Sequence, residues 1–374
     1  MQNQKTRRSP TETGPTQKAV LPQVRYHPSI QTAGGGAKTT NKPRTSRTQK
    51  TRPGAAQPPQ TRTGQQAVEE NQDAGEPDRA VRPRPDGGQK QKPAAPDPDV
   101  PQKPGPPRPD QVPLGVGVQL DRGVVEEVEV LTRGQSTNQD WFAWRKNRIT
   151  ASAAHRIAHC RFVNGRSKAP PTSYLAAVTG EGSRVQTRAM SWGIRMEAEV
   201  VRRYQKLKTS LLGQPVSVQD CGLFIDAQRP WLAASPDGIV TDSRTGQWLL
   251  CLEVKCPYKH RQRRVEDACR DDRAFCLEIQ DEDGREPGQT PIYRLKTSHS
   301  YFTQIQCQLA VTGLQRADLV VFTLKETAVV PVTFDSDLWE ETVSKLEVFY
   351  KDAVLPHVRQ KTQQDGAAAW MPEL

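Results

Sequence analysis

The sequence predicts an α/β protein with a central mixed β-sheet flanked by helices, preceded by a long disordered arm. Three observations carry this. The first third of the chain is rich in proline and basic residues and almost without aromatic ones, while the remainder alternates between helical and strand periodicity. One stretch, Trp248 to Tyr258, carries a strand that is apolar on both faces until its last residues, which places it inside a covered sheet.

Residues 1–113 hold 20 of the 31 prolines, one tyrosine, and no Trp, Phe or Cys. Such a segment cannot bury enough surface to offset the entropy of ordering, so it is expected to be disordered. It carries 19 Lys and Arg against 10 Asp and Glu, a net of +9, whereas the rest carries 34 against 32. The first 62 residues contain 12 basic residues and one acid, Glu12. An unfolded basic arm is drawn to phosphate backbones without reading sequence, and it also serves as a plain solvated linker. No apolar leader opens the chain and no run approaches the ~20 apolar residues of a membrane span. The seven cysteines, all from Cys160 onward, lack paired zinc spacing. The expected setting is therefore intracellular and reducing, nuclear ahead of cytoplasmic, with no membrane partner.

Residues 114–360 read as one folded domain, followed by a flexible tail over 361–374. "ITASAAHRIAHC", 149–160, is a helix with small residues for close packing. "SWGIRMEAEVVRRYQKLK", 191–208, is amphipathic, with Met196, Val200, Val201, Tyr204 and Leu207 inside and Arg195, Glu199, Arg202 and Lys206 outside. Glu197 falls within the apolar stripe, which makes it the first candidate functional acid. "VQDCGLFIDA" and "WLAASPDGIVTD" read as strands, the latter carrying Asp237 on a Pro-Asp-Gly turn. In "QWLLCLEVKC", Leu250, Leu252 and Val254 share one face, and Leu249, Cys251, Glu253 and Lys255 the other. Residues 259–297 read as a charged insertion containing a hairpin. "SYFTQIQCQLAVTG" is a helix packed through Phe302, Ile305 and Leu309, with Tyr301, Gln304 and Gln308 on one flank and Gln306 pointing away. Two further strands and an amphipathic helix to about 355 close the domain.

Glu197, Asp237 and Glu253, with Lys255 two residues on, are the chemistry-bearing set. Carboxylate oxygens suit Mg2+, which keeps some waters and also takes substrate phosphate oxygens. A metal so held activates a bound water and polarises a phosphodiester. Taken singly, each residue has a plainer reading: Glu253 and Lys255 as an ion pair at a strand end, Glu197 as a snorkelling side chain.

Asp237, Glu253 and Lys255 resemble the PD-(D/E)XK nuclease motif. The ordered stretches "WFAWRKNRITAS", "SWGIRMEAE", "LAASPDGIV", "LEVKCPY" and "SYFTQIQ" are similar to those of the lambda exonuclease or YqaJ viral recombinase family, over about residues 140–310. The resemblance implies a restriction-endonuclease-like core over 140–325. It implies that Glu197, Asp237, Glu253 and the Val254 carbonyl hold Mg2+ or Mn2+, that Lys255 positions the attacking water, and that Gln304, supported by Tyr301, completes the wall. Arg145 and Ser152 match positions that bind the DNA 5'-phosphate, and Asp226 loosely resembles a further acid. The implied activity is a 5'-to-3' exonuclease on linear duplex DNA with a free 5' end, in recombination or repair, assembled as a homotrimer. The arm and the 259–297 insertion have no counterpart, and the insertion falls where it would reshape the trimer surface. A structure-specific endonuclease and a non-catalytic, domesticated DNA-binding module remain as alternatives.

Overall fold

The computed structural model describes Gln23–Tyr26 and residues 107–182, 185–280 and 289–368. Most of the 1–113 arm, the tip of the insertion and residues 369–374 lie outside the described residues. The expectation of disorder therefore falls largely outside them too. Within the arm, Gln23–Tyr26 is a strand, β1, and Val112 is already buried beneath the domain.

The chain then forms α1 (Arg122–Leu131), α2 (Gln139–Arg145), the short strand β2 (Ile149–Thr150), α3 (Ala151–Ala158), α4 (Thr172–Thr179) and the long α5 (Arg188–Leu212). Thr187 caps α5 by accepting the Met190 N–H, and Gly213 ends it in the left-handed conformation that glycine adopts freely. There follow β3 (Val216–Gln219), β4 (Phe224–Ile225), β5 (Leu232–Ala234), β6 (Gly238–Asp242) and β7 (Trp248–Lys255). The insertion supplies α6 (Val265–Asp271), β8 (Leu277–Gln280) and β9 (Ile292–Leu295). The chain continues with α7 (Ser300–Thr312), β10 (Arg316–Phe322), β11 (Glu326–Thr333), α8 (Ser336–Phe349) and α9 (Leu355–Ala368).

The principal sheet is six-stranded and mixed, in the order β1-β11-β10-β7-β6-β3. β7 lies inside it, parallel to β10 and antiparallel to β6, with Leu319 opposite Glu253. Its alternation sorts the two layers. Leu250, Leu252 and Val254 pack with Val200 and Tyr204 of α5, while Cys251 packs with Ile305 and Leu309 of α7 and with the insertion. The central mixed sheet flanked by helices is thus the fold that the sequence predicts.

Two buried carboxylates pin the outer layers. Tyr204 Oη and Lys208 Nζ, both on α5, donate to Asp318 Oδ2 of β10 at 2.6 Å each. Glu326 of β11 accepts from Tyr293 Oη at 2.6 Å and the Val265 N–H at 3.1 Å, which ties the insertion to the sheet edge. A buried charge survives only when its oxygens are met in this way.

Several expected elements differ. "VQDCGLFIDA" divides between the large sheet and a three-stranded sheet of β2, β5 and β4, because the chain turns at Gly222. A Cβ there would stand 2.0 Å from the Glu129 carbonyl oxygen, so only glycine lets α1 come this close. "WLAASPDGIVTD" divides likewise into β5 and β6. Residues 361–368, expected in a flexible tail, continue α9.

Candidate active site

The segment Ser235-Pro236-Asp237-Gly238 joins the small sheet to the large one. Asp237 sits at a bend immediately before β6, in keeping with the Pro-Asp-Gly turn read from the sequence. Its N–H donates to the Leu252 carbonyl at 3.0 Å and its Oδ2 accepts the Val254 N–H at 2.7 Å. Gly238 is required because a Cβ would meet Val218 Cγ1 of β3 at 2.5 Å. The segment is held from behind: Gln135 Nε2 donates to the Pro236 carbonyl at 2.8 Å, and Trp141 Nε1 donates to Ser235 Oγ at 2.9 Å.

Glu253 is 1% exposed, and each of its oxygens accepts hydrogen bonds. Oε1 takes the Lys255 ammonium and, at 2.6 Å, Gln304 Nε2; Oε2 takes Gln308 Nε2, also at 2.6 Å. Gln304 and Gln308 thus both reach Glu253. Gln306 turns away to the Thr333 carbonyl and the Asp335 N–H. Tyr301 stacks beneath the Lys255 ammonium, with 4.9 Å from Nζ to the ring centroid.

Glu197 differs from expectation. It does not lie buried in the helix stripe but is exposed, as is Ile194 at 53% in the same turn of α5. It still belongs to the acid group electrostatically. Although the residue as a whole is exposed, desolvation of its carboxyl by nearby protein, and then Glu253, raise its proton affinity; Lys255 opposes this and Asp220 adds to it. Asp237 is raised well above the usual carboxylate range, first by burial and then by Glu253. For Lys255, burial works to lower the pKa but is outweighed by Glu253 and Asp237, so the ammonium is held more firmly than usual.

These groups fit a hard divalent cation in their chemistry: oxygen donors whose mutual repulsion a cation would relieve. Glu197, Asp237 and Glu253 would hold it, as would the Val254 carbonyl. Among the described residues, however, no three His, Cys, Asp or Glu side chains gather closely enough to hold a metal ion. Glu253 Oε1 is paired instead with the Lys255 ammonium.

Arg145, at the end of α2, is half-buried with its guanidinium carbon 3.9 Å from the Trp141 ring centroid. Burial lowers its pKa to about 10. No carboxylate among the described residues pairs with it, which suits it to an anion from outside. Ser152 is exposed in the first turn of α3, 3.4 Å from Thr150 Oγ1. Asp226 is removed from the acid group: it caps its own turn, accepting the Gln228 and Arg229 N–H groups at 2.9 and 3.0 Å. Gln135 and Trp141 were not singled out by the sequence, and their partners lie 101 and 94 residues away in the chain.

A mixed sheet presenting a carboxylate group, one lysine and a glutamine helix defines the class of site. Residues 140–315 match the YqaJ-like viral recombinase domain. The alkaline nuclease of Autographa californica nuclear polyhedrosis virus is 29% identical over 156 residues, covering 39% of this chain and 31% of that protein. The chain thus spans about a third of the curated relative that it matches. Among solved structures, the alkaline exonuclease LHK-Exo of Laribacter hongkongensis aligns with a TM-score of 0.42 at 20% identity, over 62% of this chain and all of that one. The Shutoff and Exonuclease Protein of Kaposi's sarcoma-associated herpesvirus aligns at 0.40 and 14% identity, over 62% of this chain and 72% of that one.

Proposed function

We propose that this protein is a metal-dependent deoxyribonuclease that hydrolyses phosphodiester bonds, acting as a 5'-to-3' exonuclease on linear duplex DNA in recombination or repair. The observation that carries the reading is the convergence on Glu253 of Lys255 and Gln304, beside the proton-hungry carboxylates of Asp237 and Glu197. The YqaJ-like domain and the alkaline nuclease relative support it.

When bound, Mg2+ or Mn2+ would supply Lewis acidity at the scissile phosphate. The chain's own groups do the rest. Lys255, held toward its charged form by Glu253 and Asp237, would orient the attacking water and offset charge on the phosphate. Gln304 holds the Glu253 carboxylate in plane, and Tyr301 keeps the ammonium in place from below. Arg145 and the start of α3 at Ser152 would receive the terminal 5'-phosphate, with a guanidinium already stacked and desolvated for the purpose. The basic arm would add sequence-independent attraction to DNA. A homotrimer and a nuclear location are part of the same proposal.

The test is digestion of a 5'-phosphorylated linear duplex and of a closed circle by the full chain with Mg2+. Loss of the linear form with the circle spared supports the exonuclease; equal cutting of both would make the protein an endonuclease, and no cutting would leave the binding-only alternative.

A further inference from the structure

We infer that Gln308 is a positioning residue for Glu253, committing one carboxylate oxygen to the protein so that the other is the one exchanged with a divalent cation. The inference rests on the proposed metal-dependent reading of the site.

Gln308 lies one helical turn beyond Gln304 on α7, so both amides reach the same carboxylate. Their settings differ. Gln304 is half-buried and Lys255 keeps 21% side-chain exposure, so both can move when a cation or DNA arrives. Gln308 is 0% exposed, donates to Oε2 at 2.6 Å, and is held in register where its own carbonyl accepts from Thr312 Oγ1 at 2.8 Å. Oε2 is thereby fixed, and Oε1, shared by Lys255 and Gln304, is left as the exchangeable oxygen.

A second observation separates this from ordinary core packing. Gln308 Oε1 is buried and has no hydrogen-bond partner among the described residues. Leaving such an acceptor unmet opposes folding, which an apolar side chain of similar length would avoid. An amide held there at a cost to the fold is explained by what its N–H group does for Glu253. Gln306 provides the contrast: equally buried on the same helix, it has both ends of its amide satisfied, by Thr333 and Asp335, away from the site.

The experiment measures Mn2+ binding to the full chain by electron paramagnetic resonance, without DNA, for wild type, Gln308→Met, Gln308→Asn and Gln306→Met, each checked for a cooperative melt. Outer hydrogen-bond partners of metal ligands are worth roughly 10- to 100-fold in affinity. The expected result is a loss of that size for both Gln308 variants, with Gln306→Met close to wild type. Asn shortens the amide away from Oε2 while keeping its polarity, so it serves if Met does not fold. Unchanged affinity in a folded Gln308 variant overturns the inference alone, as does an equal loss in Gln306→Met. A wild-type chain that binds no Mn2+ overturns the metal-dependent reading and this inference with it.

Discussion

Asp237 Oδ2 accepts the Val254 N–H at 2.7 Å, so the acid that opens β6 is hooked to the strand that carries Glu253 and Lys255. The hook sets the carboxylate among like charges in a desolvated place. That arrangement opposes folding when all the acids are ionised.

The first consequence is for stability without metal. Asp237 has a raised folded-state pKa, so its contribution is fully present below the unfolded value of about 3.9 and is lost as pH rises through the folded value. At pH 8 its charge is a net cost. Asp237→Asn keeps an acceptor for Val254 and removes the charge, so the variant is expected to melt a few degrees higher than wild type at pH 8 in chelator. The gain should shrink as the pH is lowered. A lower melting temperature at pH 8 would contradict the electrostatic account.

Metal affinity should follow the same protons. Glu197 and Asp237 must both be ionised to serve as ligands, and both hold protons more tightly than free carboxylates do. Mn2+ binding is therefore expected to weaken as pH falls, beginning above the ordinary carboxylate range of about 3.9 to 4.3. Titration calorimetry from about pH 4 to about pH 8, upward from that ordinary range, checks this; a flat profile would be inconsistent with it.

Lys255→Ala is expected to lower cleavage by about 10²–10³, the usual worth of one preorganised charge at a reacting centre. Lys255→Arg should retain part of the rate, because the ammonium acts by charge and donation. Kinetics of the two variants distinguish this role from that of a base, for which Arg would be as inactive as Ala.

Arg145→Gln is expected to remove a preference for 5'-phosphate over 5'-hydroxyl ends. A charge-assisted hydrogen bond contributes about 1.5–3 kcal/mol, or roughly ten- to a hundredfold in the ratio of rates. Side-by-side digestion of the two duplexes measures it, and an unchanged ratio would place the phosphate elsewhere.

Asp318→Ala should cost about 3–5 kcal/mol in a urea melt, because it strips the Lys208 ammonium of its buried counter-charge and Tyr204 of an acceptor. Replacing Lys208 with Met in the same chain should recover much of that loss.

How far the sequence carried depended on the range of the contact. Alternation along Trp248–Lys255 sorted the two layers because it needs only a period of two, and the helical period likewise chose Gln304 over Gln306. Glu197 was misjudged as buried because a wheel gives an angle and not what lies opposite that angle in the folded chain. The contact from Trp141 to Ser235 and that from Gln308 to Glu253 join residues far apart in the chain, where no local period reports them. Beyond Leu355 and Val358, which pack on the core, α9 is mostly polar and so lacks the stripe that marked α5 and α8.

The most direct measurement is release of nucleotides from a 5'-phosphorylated linear duplex by wild type, Lys255→Ala and Asp237→Asn, each in Mg2+ and in chelator. The account predicts cleavage by wild type in Mg2+ alone and near-complete loss in both variants. Wild-type inactivity, or equal cleavage by all three proteins, would contradict it.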